Sequence, residues 1–215
     1  MGDFFKDNNL VEIKDERFIV DLMYTKPENI TMHPVYKEVG FGKKAYVHRD
    51  VAKCLTGVSK KLKDLKLKMR IYDAYRPPIA HRRILDLLLI KGLFAPTAEK
   101  SAHCHAVAID CCLTDEQGNN LCFPTNVDVY DKKLARELAF GQTDEFYKHF
   151  AKAAADFYDE KYQREIYNRE LLKSIMFNAG FEGICSEWWH FQLPEGISKY
   201  PVFEWSEHPN KKKGV

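Results

Sequence analysis

The chain has 215 residues, a formal net charge of +2, and 45% hydrophobic and 30% charged residues. That length suits a single domain, and the composition is that of a globular protein with a real core. The near-neutral balance argues against nucleic acid as the main partner, and the one basic run, residues 211–213, reads as part of a solvated tail over 206–215.

A single domain with its core over about residues 15–205 is therefore expected. The N-terminus lacks a basic segment followed by a long apolar stretch, and no apolar run is long enough to span a bilayer. A cytoplasmic protein without a membrane partner is expected. Six cysteines stand at 54, 104, 111, 112, 122 and 185 without a C-x-x-C pair. In a reducing compartment these are expected to be free thiols, mostly buried.

In chain order, the spacing of Val51, Leu55, Val58 and Leu62 predicts an amphipathic helix over Arg49–Asp64. Strict alternation follows, with Leu65, Leu67, Met69 and Ile71 opposed to Lys66, Lys68 and Arg70. This predicts a half-buried strand that delivers Asp73 and Arg76 to its end, where Pro77 and Pro78 stop it. Residues 80–91 read as a helix stopped by Gly92, 107–113 as a short buried strand, and 115–120, with Gly118, as a turn. A helix is predicted over 131–140 up to Gly141, and one long helix or two over 146–179 up to Gly180. In the latter, Tyr147, Phe150, Phe157 and Tyr158 are expected in the core. Residues 184–193 form an aromatic-rich strand. No repeat or low-complexity segment appears. The irregular alternation favours an α+β fold, a central antiparallel or mixed sheet flanked by helices, over a doubly wound parallel one.

Two segments carry chemistry. The first runs Ser101-Ala102-His103-Cys104-His105-Ala106-Val107-Ala108-Ile109-Asp110, the second Ser186-Glu187-Trp188-Trp189-His190-Phe191. Together they offer imidazoles, a ligating carboxylate and a spare carboxylate. A catalytic zinc site takes three such ligands and leaves a position for water, whose pKa the metal lowers to about 7. A carboxylate beside the metal then serves as general base, and Glu187, three residues before His190, fits that role. Alternation in a strand constrains the geometry: residues an odd number apart face opposite sides. For all four groups to meet, a bulge or turn is needed within 187–190, and a loop between His103 and the strand carrying Asp110. A rival set stays open at this point. His103 and His105, two apart, form with His190 a three-histidine site, with Asp110 behind it. Trp188 and Trp189 read as pocket wall and core. His33, His48, His81, His149 and His208 show no partner pattern.

The pattern S-x-H-x-x-[GA]-x-A-x-D followed by E-W-W-H resembles that of the zinc D,D-peptidases, whose fold is shared with the hedgehog signalling domain. Within them it looks like the D-alanyl-D-alanine dipeptidases of the vancomycin-resistance type. Asp21-Leu22-Met23-Tyr24, Glu28-Asn29-Ile30-Thr31, Tyr72-Asp73-Ala74-Tyr75-Arg76-Pro77, Phe123-Pro124-Thr125-Asn126-Val127-Asp128, Asn168-Arg169-Glu170-Leu171-Leu172 and residues 176–181 resemble further segments of that family. The resemblance spans roughly residues 15–195.

It implies one zinc ion per chain on His103, Asp110 and His190, with Glu187 as general base and Arg76 stabilising the oxyanion. Ser101 and Asp128 look like the residues that hold the substrate's ammonium. Tyr24 and Tyr36 shape the pocket and reach the carboxylate, and Asp73 orients its neighbours. The implied substrate is a small dipeptide, D-alanyl-D-alanine. Resistance and catabolic roles stay open, as does the oligomeric state. Two other readings stay open: a D,D-carboxypeptidase trimming longer peptidoglycan stems, and a non-catalytic zinc-binding module. Two departures stand out. Ala106 replaces the family's glycine, at a cost of roughly 1–2 kcal/mol if its φ is positive. Cys104, Cys111 and Cys112 flank the ligands, and a thiolate there is a rival fourth ligand.

Overall fold

The computed structural model describes residues 3–88, 93–127 and 151–205. Its centre is a five-stranded sheet of β2 (Phe18–Val20), β4 (Lys68–Asp73), β5 (Ala108–Thr114), β7 (Glu187–Gln192) and β6 (Glu182–Ile184), in that order. The β2–β4 pair is parallel and the others are antiparallel, so the sheet is mixed. β1 (Leu10–Glu12) and β3 (Tyr46–His48) form a separate antiparallel pair. The helices are α1 (Phe4–Asp7), α2 (Val35–Glu38), α3 (Arg49–Asp64), α4 (Pro78–Leu87), α5 (Gln163–Asn178) and α6 (Gly196–Lys199). This is the α+β architecture expected. Among the described residues no helix is long and apolar enough to cross a membrane.

Helix α3 follows its sequence pattern, burying Val51, Leu55, Val58 and Leu62. The His48 ring accepts from the Asp50 backbone N–H at its start, and Lys61 and Lys63 sit in the last turn, where cations suit the helix dipole. Its end corrects the predicted strand. Leu67 N–H donates to Leu62 O at 2.9 Å and Lys66 N–H to Lys63 O at 3.1 Å, with Lys66 left-handed at φ 52°. This closing motif takes residues 65–67 for the helix cap, so β4 begins only at Lys68. Alternating apolar residues do not outweigh a cap that satisfies the last carbonyls. Helix α5 closes in the same way, with Phe181 N–H on Met176 O at 3.1 Å and Gly180 at φ 96°.

The two faces of the sheet differ. α3 contacts β4, and α5 contacts β5, β6 and β7. The Phe177 ring of α5 meets Phe191 edge-on at 6.4 Å, and Phe191 pairs with Ile109. This face is apolar core. All seven residues of β5 are buried. Strand alternation turns Asp110 and His190 to the opposite face, and that face carries the site.

Some expectations change. Tyr158 is 72% exposed, because the chain between residue 153 and the 3-10 turn Glu160–Tyr162 is not helical. Of the aromatic stretch 184–193, residues 187–192 form the strand β7, and its first residue, Ile184, instead ends β6 across a tight turn. No cysteine is disulfide-bonded; Cys104, Cys111 and Cys112 are buried, Cys54 is half-buried, and Cys122 and Cys185 are exposed. The predicted helix at 131–140, Tyr147, Phe150, His149, His208 and the 206–215 tail lie outside the described residues.

Ala106 is fully buried at φ 55°. Glycine there relieves about 1–2 kcal/mol of left-handed strain. It also costs about 0.5–1 kcal/mol in chain entropy and about 0.8 kcal/mol in a lost buried methyl. Ala106→Gly is therefore expected within about 1 kcal/mol of wild type. Ala106→Val, branched and overpacked at the same φ, should lose about 2–4 kcal/mol. Urea unfolding of the metal-free proteins measures both.

Candidate metal centre and active site

Register brings the site together. Asp110 lies directly opposite His190 on β7, and on its other side opposite Asp73 on β4. The Asp73 pairing depends on an irregularity. Ile71 pairs with Cys111, so a regular ladder would set Tyr72, not Asp73, against Asp110; the extra residue between Ile71 and Asp73 corrects this. A second irregularity lies in the β6–β7 hairpin, where Gly183 pairs with Phe191 but Ile184 pairs with Glu187. Residues 188–190 therefore have no β6 partners, the bulge that the 187–190 spacing demanded.

His103 stands in the tight turns before β5. Its carbonyl accepts from Arg76 N–H at 3.1 Å and from Ala106 N–H at 3.0 Å, and Ala106 turns the chain into the strand. The loop expected between His103 and Asp110 is present, and the left-handed Ala106 closes it.

His103 Nε2 lies 3.3 Å from Asp110 Oδ2, and His190 Nδ1 lies 3.1 Å from Asp110 Oδ1. One ligand atom from each of the three residues lies within 4.8 Å of the others, and all three are buried. Among the described residues this is the one such group of His, Cys, Asp and Glu. The outer ring nitrogens are tied back: His103 Nδ1 to Ala74 O at 2.9 Å, His190 Nε2 to Gln192 Oε1 at 3.1 Å. Both partners only accept, so a neutral ring that keeps its hydrogen on the outer nitrogen has its lone pair facing inward. Two lone pairs and a buried carboxylate facing one point are the donor set of a divalent transition metal. Burial by itself raises the pKa of Asp110, but His103 and His190 pull it well below the usual carboxylate range. The residues fit a metal.

The three-histidine set does not form. His105 turns away, with Nδ1 at 2.6 Å from Tyr200 O and Nε2 at 3.0 Å from Glu99 O. The cysteines stay apart as well. Burial raises the Cys104 thiol to about 12 and Cys112 to about 11, and Cys111 also rises well above its usual value. All three are thiols at neutral pH, and none belongs to the cluster.

Glu187 Oε2 is 3.9 Å from His190 Nδ1. The cluster opens on a cavity of about 290 Å³, whose walls include Arg76, Ser101, His103, Asp110, Glu187 and His190. A larger cavity of about 890 Å³ lies elsewhere, walled by Met23, Tyr72, Phe123 and Trp188. Trp188 stacks on Phe123 at 4.3 Å and donates to Thr125 Oγ1, the structural role expected of it. Trp189 is buried. Asp128 lies outside the described residues.

Arg76 is 3% exposed. Its Nε and one terminal nitrogen donate to Asp73 Oδ2 at 2.9 and 2.6 Å, and the guanidinium lies 5.2 Å from the Tyr24 ring and 5.1 Å from Phe94. Burial opposes its charge, yet Asp73 together with Tyr24, Tyr36 and Asp110 raises its pKa well above the usual value. Tyr36, fully buried, donates its hydroxyl to the other oxygen of Asp73. Neither Tyr24, Tyr36 nor Asp73 is among the cavity walls.

A whole-chain comparison decides the family. Residues 91–208 match the model of peptidase family M15, described as D-ala-D-ala dipeptidase. The chain belongs to the D-Ala-D-Ala dipeptidase family. It is also 30% identical over 186 residues to the D-alanyl-D-alanine dipeptidase of Escherichia coli strain K12, covering 85% of this chain and 82% of that protein. This family member is thus a hydrolase of the metallopeptidase class.

His81, Gln192 and Glu182 escaped the sequence reading. His81 is fully buried, with Nδ1 at 3.4 Å from an Arg76 nitrogen and Nε2 at 2.9 Å from Ala95 O. Its apolar helical spacing hid it; only its place five residues after Arg76 hinted at contact. Burial first, then the Arg76 charge, lowers its pKa to about 4. A lowered histidine pKa stabilises the fold above the unfolded value of 6.5, and that stability is lost as pH falls toward 4. At about 1.4 kcal/mol per pH unit, the loss is on the order of 3 kcal/mol. His81→Gln should flatten the stability profile between pH 6.5 and 4, as read by urea unfolding across that range.

Proposed function

We propose that this dipeptidase hydrolyses D-alanyl-D-alanine to two molecules of D-alanine, using one zinc ion per chain held by His103, Asp110 and His190. The observation that carries this reading is the convergence of those three ligand atoms, with Glu187 Oε2 3.9 Å from one of them and Arg76 in the same cavity wall. Zinc bound there supplies Lewis acidity, acidifying a water and polarising the scissile carbonyl.

The chain's own residues do the rest. Glu187 takes a proton from the attacking water. The hydroxide oxygen adds to the carbonyl carbon, and the electron pair moves onto the carbonyl oxygen. Arg76 faces that developing charge with a guanidinium already fixed by Asp73, so little reorganisation accompanies the reaction. When the C–N bond breaks, Glu187 returns the proton to the departing amine. Ser101, buried in the cavity wall, and Asp128 hold the substrate's ammonium. Tyr24 and Tyr36 act behind Arg76 and Asp73 rather than on substrate.

A cavity of about 290 Å³ lies at the lower end of the size of small-molecule sites. It suits a dipeptide better than the long stem peptide of a carboxypeptidase. Glu187 and Arg76 in one cavity disfavour a zinc module without catalysis. The D,D stereochemistry rests on the activity named for the Escherichia coli relative. The same reading includes one domain with its core over about 15–205, the hedgehog-like arrangement of the mixed sheet, and a cytoplasmic location.

Metal analysis should return one zinc per chain, and a panel of Ala-Ala stereoisomers should release alanine from the D,D form alone. Glu187→Ala should keep the zinc and lose about 10²–10⁴ in kcat. Comparable release from the L,L dipeptide sinks the substrate assignment, and wild-type turnover by Glu187→Ala sinks the general base.

A further inference from the structure

We infer that Gln192, oriented by Glu182, is a positioning residue that keeps His190 able to bind metal. The inference rests on the reading of His190 as a ligand.

Three strand residues form a directed chain. Glu182 on β6 lies directly opposite Gln192 on β7, and Gln192 lies two residues beyond His190, on the same face. The Gln192 amide nitrogen donates to Glu182 Oε1 at 3.0 Å, and Gln192 Oε1 is 3.1 Å from His190 Nε2. A carboxylate only accepts, so Glu182 takes the NH₂ end of the amide and leaves the oxygen end for the ring. That oxygen also only accepts, so Nε2 must carry the hydrogen.

The consequence lies at the other nitrogen. His190 Nδ1 is 3.1 Å from Asp110 Oδ1, and Asp110 is itself a strong acceptor for a ring hydrogen. Two acceptors therefore compete for the single hydrogen of a neutral imidazole. Held at Nε2 by Gln192, it leaves a lone pair on Nδ1. Drawn to Nδ1 by Asp110, it blocks the ligand atom. The relay settles this competition, and it holds the ring plane at the same time. His103 has the equivalent hold from Ala74 O, a backbone group that no substitution removes. On His190 the hold comes from a side chain and can be deleted.

The test compares wild type, Gln192→Leu and Glu182→Gln. Zinc affinity is read by competition with a chromophoric chelator. The His190 tautomer in metal-free protein at pH 8 is read by long-range ¹H–¹⁵N spectra. Melting of the metal-free proteins confirms that each is folded. Gln192→Leu should weaken zinc binding about 10–100-fold. Its Nε2–H share should fall as the hydrogen moves to Nδ1. Glu182→Gln, whose amide no longer dictates which way Gln192 turns, should lie between the two, and it serves if Gln192→Leu fails to fold. Equal zinc affinity across the series, or an unchanged tautomer, overturns the relay. If wild type binds no zinc, the metal reading falls by itself and the tautomer alone decides the relay.

Discussion

The site depends on the register of three strands, which sets Asp73, Asp110 and His190 in one row across the sheet. Side chains alternate along a strand with period two, so a one-residue slip would turn one of the three toward the helix-covered face. Two irregularities hold the row. One brings Asp73 into line with Asp110, and the other frees residues 188–190 from β6. The apolar face pins the register from behind, since a slip that misplaced Asp110 would also lift Ile109 and Phe191 out of the core. Packing on one face thus secures chemistry on the other.

Charge explains why such a row can be buried. Asp73 and Asp110 are buried, and Glu187 is partly so. Arg76 neutralises one of these three carboxylates. A divalent ion held by His103, Asp110 and His190 would neutralise the remaining pair, leaving the cluster neutral without any residue leaving its normal protonation state. Protonation of His103 is the alternative without metal. His103 leans that way: burial lowers its pKa, but Asp110 and Asp73 together raise it above the usual value. Protons and metal thus compete for the His103 lone pair.

Much of this was legible in the sequence, and the parts that were not share a cause. His103, Asp110, His190 and Glu187 stood out as ligand and base types gathered in two short segments, and their spacings conflict with straight strands. Bulge and loop followed from that conflict, and both are present. The strand at residues 65–67 was misread because alternation is blind to helix capping, and Lys66 sits in a left-handed position usually filled by glycine. The parallel β2–β4 pair was missed because three residues are too few for periodicity. Gln192, Glu182 and His81 act through contacts made only after folding. No motif spacing records a hydrogen bond between an amide and a ring across a hairpin.

Tyr24 and Tyr36, read from sequence as pocket residues, pack around Arg76 and Asp73. Both side chains are fully buried. Tyr36 spends its hydrogen on Asp73, and burial followed by the Asp73 charge raises its pKa well above the usual value, so it stays a donor. The Tyr24 and Phe94 rings, edge-to-face with each other at 6.5 Å, both lie against the Arg76 guanidinium. A guanidinium is planar and delocalised, and it accepts a carboxylate on one edge and aromatic faces above and below. With Asp73 on that edge and His81 beside it, Arg76 has little freedom left but to present its remaining N–H groups to the cavity. Lysine, a point charge on a flexible stem, would satisfy Asp73 and forfeit the planar contact with both rings. The shell around Arg76 is therefore built for arginine, and the two tyrosines belong to that shell.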